Sequence, residues 1–147
     1  MTEANKQDKP VARPLPKLTE LDTQAFWQGT QAKEFRYQQC ANCGTLVWHP
    51  RAHCTGCVDG DLRWHVSKGL GEIYTFSGGR LSYHPVFRGK APYAVAYVDL
   101  DEGLRFLTNV TGGDDPLTEV HIGQRVELVW EEHEELNIPL VRPVSKR

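Results

Sequence analysis

The stretch CANCGTLVWHPRAHCTGC, from Cys40 to Cys57, contains all four cysteines of the chain as two Cys-x-x-Cys pairs. Two short knuckles that bring four thiolates together make a closed tetrahedral site, which is the arrangement of a structural Zn²⁺. The pattern therefore predicts zinc held by Cys40, Cys43, Cys54 and Cys57. Because four ligands leave no position for water or substrate, we expect this zinc to support the fold and not to react.

The cysteine pairs also have a redox interpretation, which the rest of the sequence does not favour. A redox motif needs one such pair, normally at the start of a helix within a βαβ unit, and this sequence has two pairs and no βαβ pattern. His49 and His53 lie between the pairs and could in principle replace a thiolate. Since four cysteines already fill the shell, we expect both histidines beside the metal or on the surface.

Composition narrows the class of protein. The chain has 147 residues, of which 39% are hydrophobic and 24% charged, which is typical of one globular domain or of two small domains sharing an interface. Its apolar runs are shorter than the ~20 residues that span a bilayer, and its first residues lack the apolar core of a secretory signal. We therefore expect a cytoplasmic protein, in which cysteines stay reduced.

The N-terminal part of the sequence predicts a tail followed by a helix. Residues 1–17 are rich in proline and charge and predict a flexible tail. Residues 18–36 predict a helical segment, with Thr19 as its cap and Gly29 as the point where the helix is interrupted or ends. Phe26 and Trp27 lie on one side of this helix. Two interpretations remain open: this face packs on its own domain, or it docks on another protein.

The rest of the chain is predicted to be β structure. Residues 37–66 form the zinc ribbon in this interpretation, and residues 67–147 form a second domain with five short strands. Because no helix of βαβ length separates the strands, they predict a small closed barrel of the OB type. The last strand, residues 138–143, contains two prolines and is expected at an edge or a strand end. The acidic run that begins at Glu131 is expected to be a solvated hairpin tip.

Several motifs together resemble one known family. FWQG, CANCG with HCTGC, GLGEIYTFS, APYAVAYVDLDEG and IGQRVELVW occur in this order. From about Phe26 to Pro143 the chain resembles the acyl-CoA-associated family that joins a rubredoxin-like zinc ribbon to an OB-fold domain, long catalogued as a domain of unknown function. The glycine-rich run Ser77-Gly78-Gly79-Arg80 departs from the family pattern, in which a β-branched or His-containing stretch is common.

The resemblance implies both a fold and a function. The fold is mainly β, with an N-terminal helix, a rubredoxin-like zinc ribbon and a small OB-fold barrel. Members of the family are partner subunits of thiolase-like enzymes, including lipid-transfer-type thiolases and the aldolases of steroid side-chain breakdown. The chain is therefore expected to be a non-catalytic accessory subunit of a hetero-oligomer that acts on acyl-CoA thioesters, for example by retro-aldol cleavage of a steroid side-chain acyl-CoA. Consistent with this, the sequence contains no recognisable nucleophile elbow or Walker-type loop.

A basic loop is the candidate contact with coenzyme A. No Asp or Glu occurs between Ile73 and Val98, and a basic loop free of acids attracts phosphates, of which CoA has several. Aromatic side chains in the loop could pack on adenine. The candidate residues are Arg80, Tyr83, His84, Phe87, Arg88 and Lys90. Contact with CoA, contact with the partner protein and ordinary solvated surface all remain open for them.

A nucleic-acid-binding protein is the alternative interpretation, because OB barrels and zinc ribbons also occur in that class. The formal net charge of the chain is −2, and four thiolates around one Zn²⁺ would make it more negative still. Nucleic acid would be repelled overall, so we expect little binding of RNA or DNA. The thiolase-like partner is instead what the family resemblance implies.

Overall fold

The computed structural model describes residues 12–145, and within this range the protein is mainly β. Most of the predicted flexible tail, residues 1–11, lies outside the described residues. Among residues 12–145 no helix is both long and apolar enough to cross a bilayer. The elements are α1 (Leu21–Gln31), β1 (Arg36–Cys40), β2 (Leu46–Val47), β3 (Leu62–Val66), β4 (Leu70–Gly79), a 3-10 turn (Arg88–Lys90), β5 (Tyr93–Leu100), β6 (Arg105–Val110), α2 (Pro116–Glu119), β7 (Arg125–Glu132) and β8 (Asn137–Pro143).

Helix α1 differs from the sequence prediction at both ends. Its N-cap is Glu20, which makes no side-chain capping bond, so the predicted cap at Thr19 is wrong. Gly29 does not end the helix either, because α1 continues to Gln31. A Cβ atom on Gly29 would lie 2.6 Å from Cδ of Arg36, so this glycine makes room for a side chain of β1. The reason for Gly29 is therefore close packing between two elements.

The first sheet carries the cysteine knuckles. Strand β1 lies in the centre, and β2 and β3 pair with it on either side in antiparallel register. Gln38 is opposite Val47 on one side and opposite Trp64 on the other. Because β1 ends at Cys40, the chain turns from the sheet directly into the first knuckle. The sheet therefore places the start of the cysteine cluster on a rigid strand.

The remaining five strands form a closed barrel in the order β4-β5-β6-β8-β7, which confirms the predicted OB-like barrel. Strand β5 alternates as a barrel strand should, with Ala94, Ala96 and Val98 buried inside. Strand β7 buries Val126 in the same interior, and Leu128 and Trp130 pack against the core. Small side chains on β5 leave space for the larger residues from the facing strands.

Strand β8 does not lie at an edge: Pro143 ends the strand, as the sequence predicts, but Pro139 lies inside it, against the prediction. It pairs along its whole length with β7 and closes the barrel against β6 through a single parallel pair, Val110 with Val141. Proline is tolerated because the side of β8 that faces β6 is hardly used for backbone pairing. At Pro139 the carbonyl oxygen instead accepts a hydrogen bond of 2.6 Å from the hydroxyl of Thr108.

The ribbon and the barrel share a core. Phe35, at the start of the ribbon sheet, packs on Phe106 of β6 with ring centroids 4.8 Å apart. Phe26 of α1 and Trp48 of the ribbon contact Phe35 at 5.3 and 4.9 Å. These four side chains, Phe26, Phe35, Trp48 and Phe106, form what we term the aromatic cluster. It joins α1, the ribbon and the barrel into one packed body.

Candidate metal centre and partner surfaces

The four cysteines come together at the end of the ribbon. All four Sγ atoms lie within 4.8 Å of one another. Cys40 Sγ is 3.6 Å from Cys57 Sγ, and Cys43 Sγ is 3.5 Å from Cys54 Sγ. Four sulfurs in a tetrahedron around Zn²⁺ lie about 3.8 Å apart when each Zn–S bond is about 2.3 Å long. The cysteines therefore fit a tetrahedral metal ion with little movement.

The backbone of each knuckle is shaped for this cluster. Gly44 follows the first pair and has a positive φ of 75°, a conformation that glycine adopts without strain. In the second knuckle the N–H of Gly56 donates to Cys54 Sγ at 3.2 Å. Val58 follows the second pair, and it has a φ of 64° although it is β-branched and largely exposed. A β-branched residue is strained at a positive φ, so the second knuckle imposes on Val58 a backbone conformation that valine rarely adopts.

The sulfur atoms differ in how readily they ionise. Hydrogen bonds with the side chain and the backbone of Thr45 lower the pKa of Cys43 to about 6, despite some loss of solvation. The pKa of Cys57 moves the other way: a hydrogen bond from the backbone of Asp59 lowers it, but loss of solvation and the neighbouring sulfurs raise it to about 12. Because the four sulfur atoms are so close, four thiolates would repel one another strongly, and a cation between them would offset this repulsion. A divalent metal ion supplies that charge and releases the protons.

The structure gives the basic loop acidic partners from distant parts of the chain. Arg80 pairs with Asp115 at 3.0 Å, and Lys90 lies 3.9 Å from Glu131. Arg88 donates to the backbone carbonyl of Tyr83 at 3.4 Å. The segment between Ile73 and Val98, which contains no Asp or Glu, is therefore not a patch of purely positive charge in the folded protein. Sequence reasoning missed both acids because they are remote along the chain.

Part of the loop surrounds a cavity of about 230 Å³ lined by Ser82, Phe87, Lys90 and Tyr93. The structure thus brings two of the candidate residues, Phe87 and Lys90, to one cavity. His84 contacts Phe87 with ring centroids 5.2 Å apart, and Tyr83 is almost fully exposed. Arg80 is not among the residues that line this cavity. An aromatic wall beside an ammonium group suits an aromatic ring that carries a negative group.

The two aromatic residues of α1 have different environments. Phe26 is only 4% exposed and belongs to the aromatic cluster, so it is part of the chain's own core and is not presented to a partner. Trp27 is partly exposed and lines an apolar groove of about 240 Å³ between α1, the ribbon and the barrel. Leu107 and Ile138 line the same groove, and Leu107 is 55% exposed. Of these two aromatic residues, Trp27 is therefore the one that is available for docking.

Comparison with known proteins places both halves of the chain in one family. Residues 27–63 match the family model described as the ChsH2 rubredoxin-like zinc ribbon domain, and residues 64–131 match the ChsH2 C-terminal OB-fold domain. Among solved structures, the chain is similar to one named Ltp2-ChsH2(DUF35) aldolase. The two are 32% identical, with a TM-score of 0.77, and the match covers 89% of this chain and 98% of that one.

Three relatives have informative names. A probable enoyl-CoA hydratase alpha subunit from Thermomonospora curvata is 33% identical over 97% of this chain. A 3-oxo-4,17-pregnadiene-20-carboxyl-CoA hydratase alpha subunit from Mycobacterium tuberculosis is 31% identical over 74% of the chain, and a DUF35 domain-containing scaffold protein from Methanocaldococcus jannaschii is 31% identical over 63%. The chain spans 43%, 33% and 64% of these proteins, respectively. The chain belongs to the DUF35 family, and it carries both the ChsH2 zinc ribbon and the ChsH2 OB-fold domain.

Proposed function

We propose that the chain is a non-catalytic accessory subunit that binds a thiolase-like enzyme, such as a lipid-transfer-type thiolase or aldolase, and supports its action on acyl-CoA thioesters. The observation that carries this proposal is the similarity to the Ltp2-ChsH2(DUF35) aldolase chain, which this chain matches over nearly its whole length. Retro-aldol cleavage of a steroid side-chain acyl-CoA is the candidate reaction, and the names of the Mycobacterium and Thermomonospora relatives support a CoA thioester as substrate.

We place the chemistry on the partner because of how the chain uses its most reactive groups. All four thiols of the sequence lie in the cysteine cluster, where a metal ion would occupy them. We propose that this ion is Zn²⁺ and that it holds the two knuckles together, since four sulfur ligands leave no open position. Thiols that bind metal have to stay reduced, which is the condition in the cytoplasm, and we propose that location for the protein.

The apolar groove beside α1 is the surface that we propose for docking on the partner enzyme. Trp27 and the exposed Leu107 flank it, and large apolar side chains of this kind carry much of the binding energy in protein interfaces. An interface of standard size buries roughly 800 Å² on each partner, which is much more than the groove alone. The groove would therefore be the anchor of a larger contact.

Co-purification tests this proposal. The tagged chain is isolated from its source cells at moderate salt, and we expect a thiolase-like enzyme to accompany it. Trp27→Ala should remove that enzyme, while Trp64→Ala, which changes another partly exposed tryptophan that does not line the groove, should leave it bound. Equal recovery with both variants would contradict docking at the groove. Bound RNA or DNA in place of the enzyme would support the nucleic-acid alternative.

We further propose that Arg88 and Lys90 contact the phosphates of CoA at the interface. The cavity lined by Phe87 and Lys90 supports this, because it offers an aromatic ring for the adenine and a positive charge for a phosphate. An Arg88→Glu, Lys90→Glu variant should raise the KM for a CoA thioester roughly tenfold or more, because charge-assisted contacts contribute about 1.5–3 kcal/mol each. A truncated thioester without the nucleotide should be unaffected, and added salt should reduce the difference.

A charge-matched control separates contact with CoA from a general effect of charge. Arg63→Glu with Lys68→Glu makes the same change of net charge outside the loop. We expect the control variant to keep the KM of the wild-type complex. Equal losses with the full and the truncated thioester would mean that the loop contacts the partner protein. An unchanged KM for both substrates would mean that the loop is solvated surface.

A further inference from the structure

Arg13 makes a contact at the mouth of the barrel that the function described above does not use. Its guanidinium group donates a hydrogen bond of 2.7 Å to Oε1 of Glu131 on β7. The same group lies over the ring of Phe87, with Cζ 5.4 Å from the ring centroid, which is within the range of a cation–π interaction. The side chains of Arg13 and Glu131 are only 21% and 25% exposed. This is a partly buried contact between residues 118 positions apart.

The site around Glu131 is built to hold a cation. His133 lies 2.8 Å from the same carboxylate oxygen, through its Nε2 atom, and Lys90 lies 3.9 Å from the other oxygen. Burial alone would raise the pKa of Glu131, but the hydrogen bond with His133 and the charges of Arg13 and Lys90 outweigh it and lower the pKa. A partly buried carboxylate without a partner is costly. Of the two cations, Arg13 is at hydrogen-bonding distance and Lys90 is not.

The surroundings favour a guanidinium group over an ammonium group. A cavity of about 320 Å³ opens at this end of the barrel, and Arg13, Phe87 and Glu131 are among its walls. A planar guanidinium can stack on the ring and donate to the carboxylate at the same time, whereas an ammonium is a compact point charge. Lys90 shows the difference: its Nζ atom is 5.9 Å from the Phe87 centroid, at the outer limit of a cation–π contact, and 3.9 Å from the carboxylate, beyond hydrogen-bonding distance.

We propose that Glu131 and Phe87 form a guanidinium-binding site at the barrel mouth, that Arg13 fills this site in cis, and that residues 12–17 are thereby held as a strap across the mouth cavity. The strap covers one face of Phe87, which is also a residue proposed to contact the nucleotide of CoA. To that extent the regulatory consequence rests on the proposed function. A ligand that stacks on that face of Phe87 has to displace Arg13 first.

Hydrogen exchange of the loop amides tests the site without any ligand. The N–H groups of Phe87 and Arg88 donate to the carbonyl of His84, and the N–H of Lys90 donates to that of Phe87, so opening of the loop is measurable. Arg13→Ala should increase the exchange of these amides by roughly fivefold or more in the full chain. Lys17→Ala, an exposed cation on the same segment, is the matched control and should leave exchange unchanged.

Chemical rescue tests the preference for a guanidinium group. Ethylguanidinium at about 20 mM should restore slow exchange in Arg13→Ala, and ethylammonium at the same concentration should restore less. Adding Glu131→Gln to Arg13→Ala should abolish the rescue. Unchanged exchange in Arg13→Ala would overturn the proposal, and so would equal rescue by the two cations, since a point charge would then be enough.

Adding CoA separates the strap from the proposed function. If Arg13 and the nucleotide compete, CoA added to the complex of the chain with its partner enzyme should slow exchange in residues 86–93 of the wild type and speed exchange in residues 12–20. Slower exchange in the loop with no change in residues 12–20 would overturn the competition while leaving CoA contact in place. No effect of CoA on any variant, together with an intact ethylguanidinium rescue, would overturn CoA contact and leave the guanidinium-binding site standing.

Discussion

Thr30→Val should destabilise the protein more than its small change in shape suggests. Thr30 is fully buried, and its hydroxyl donates to the carbonyl of Trp27 at 2.6 Å and accepts from the N–H of Asn137 at 3.1 Å. The amide side chain of Asn137 also donates to the backbone carbonyl of Thr30 at 2.8 Å. These bonds tie the end of α1 to the start of β8, between the ribbon side of the molecule and the barrel.

Valine fills the same space but cannot accept the hydrogen bond of Asn137. A buried donor without a partner costs about 1–3 kcal/mol, so we expect a loss of about 2 kcal/mol in the free energy of unfolding. In a chain of this length that corresponds to a fall of about 4–8 °C in Tm. Urea unfolding followed by circular dichroism and a thermal scan would measure both quantities.

Thr30→Ser is the matched control because it keeps the hydroxyl and removes only a methyl group. It should cost about 1 kcal/mol from lost apolar burial. If Thr30→Val proves no more destabilising than Thr30→Ser, the hydroxyl bridge does not stabilise the fold, and the reasoning from the buried hydrogen bonds is refuted. The far-ultraviolet spectrum of each variant should match that of the wild type, so that both comparisons start from the same fold.

Three further outcomes are expected. Elemental analysis should find one zinc ion per chain in the reduced protein, and Cys54→Ser should lose it together with part of the folding free energy, whereas bound iron or no metal would contradict the assignment. Val58→Gly should raise the free energy of unfolding by about 1 kcal/mol, as measured by urea unfolding, because it relieves a positive φ. The hydrogen bond from Arg105 lowers the pKa of Asp99 in the folded state. The Asp99–Arg105 pair therefore stabilises the fold above the ordinary aspartate pKa of about 4, and this stabilisation is lost as the pH falls through the lower pKa of the folded state. Asp99→Asn should make the free energy of unfolding depend less on pH in the acid range, as measured by urea unfolding at several pH values.

Local patterns in the sequence were sufficient to predict the main architecture. The spacing of the four cysteines predicted the cluster because two short knuckles have few ways to fold, and its sulfurs are indeed close together. The alternation around Val126 predicted β7 because one face of a barrel strand has to be buried. Both signals are set by neighbours within a few residues, so they can be read without knowing the tertiary fold.

The features that the sequence did not predict depend on residues far apart in the chain. Gly29 resembled a helix terminator because its packing partner, Arg36, becomes a neighbour only after β1 folds back. Pro139 indicated an edge strand because nothing local shows that β6 leaves that side of β8 almost unpaired. Glu131 was expected at a solvated tip, and its contact with Arg13 spans nearly the whole chain. At each of these positions tertiary packing, rather than the local sequence preference, determines the structure.

The aromatic cluster limits how this architecture can be divided and exchanged between relatives. The two family models meet between residues 63 and 64, which is inside β3, and the ring contacts of Phe35 with Phe106 cross the same boundary. A chimeric protein made from two relatives and joined at this point would combine the two halves of β3 from different proteins. It would also pack Phe35 of one relative against the residue that the other relative has at position 106. Exchange between relatives should therefore keep α1, the ribbon and β6 from the same parent, so that the four packed rings stay together.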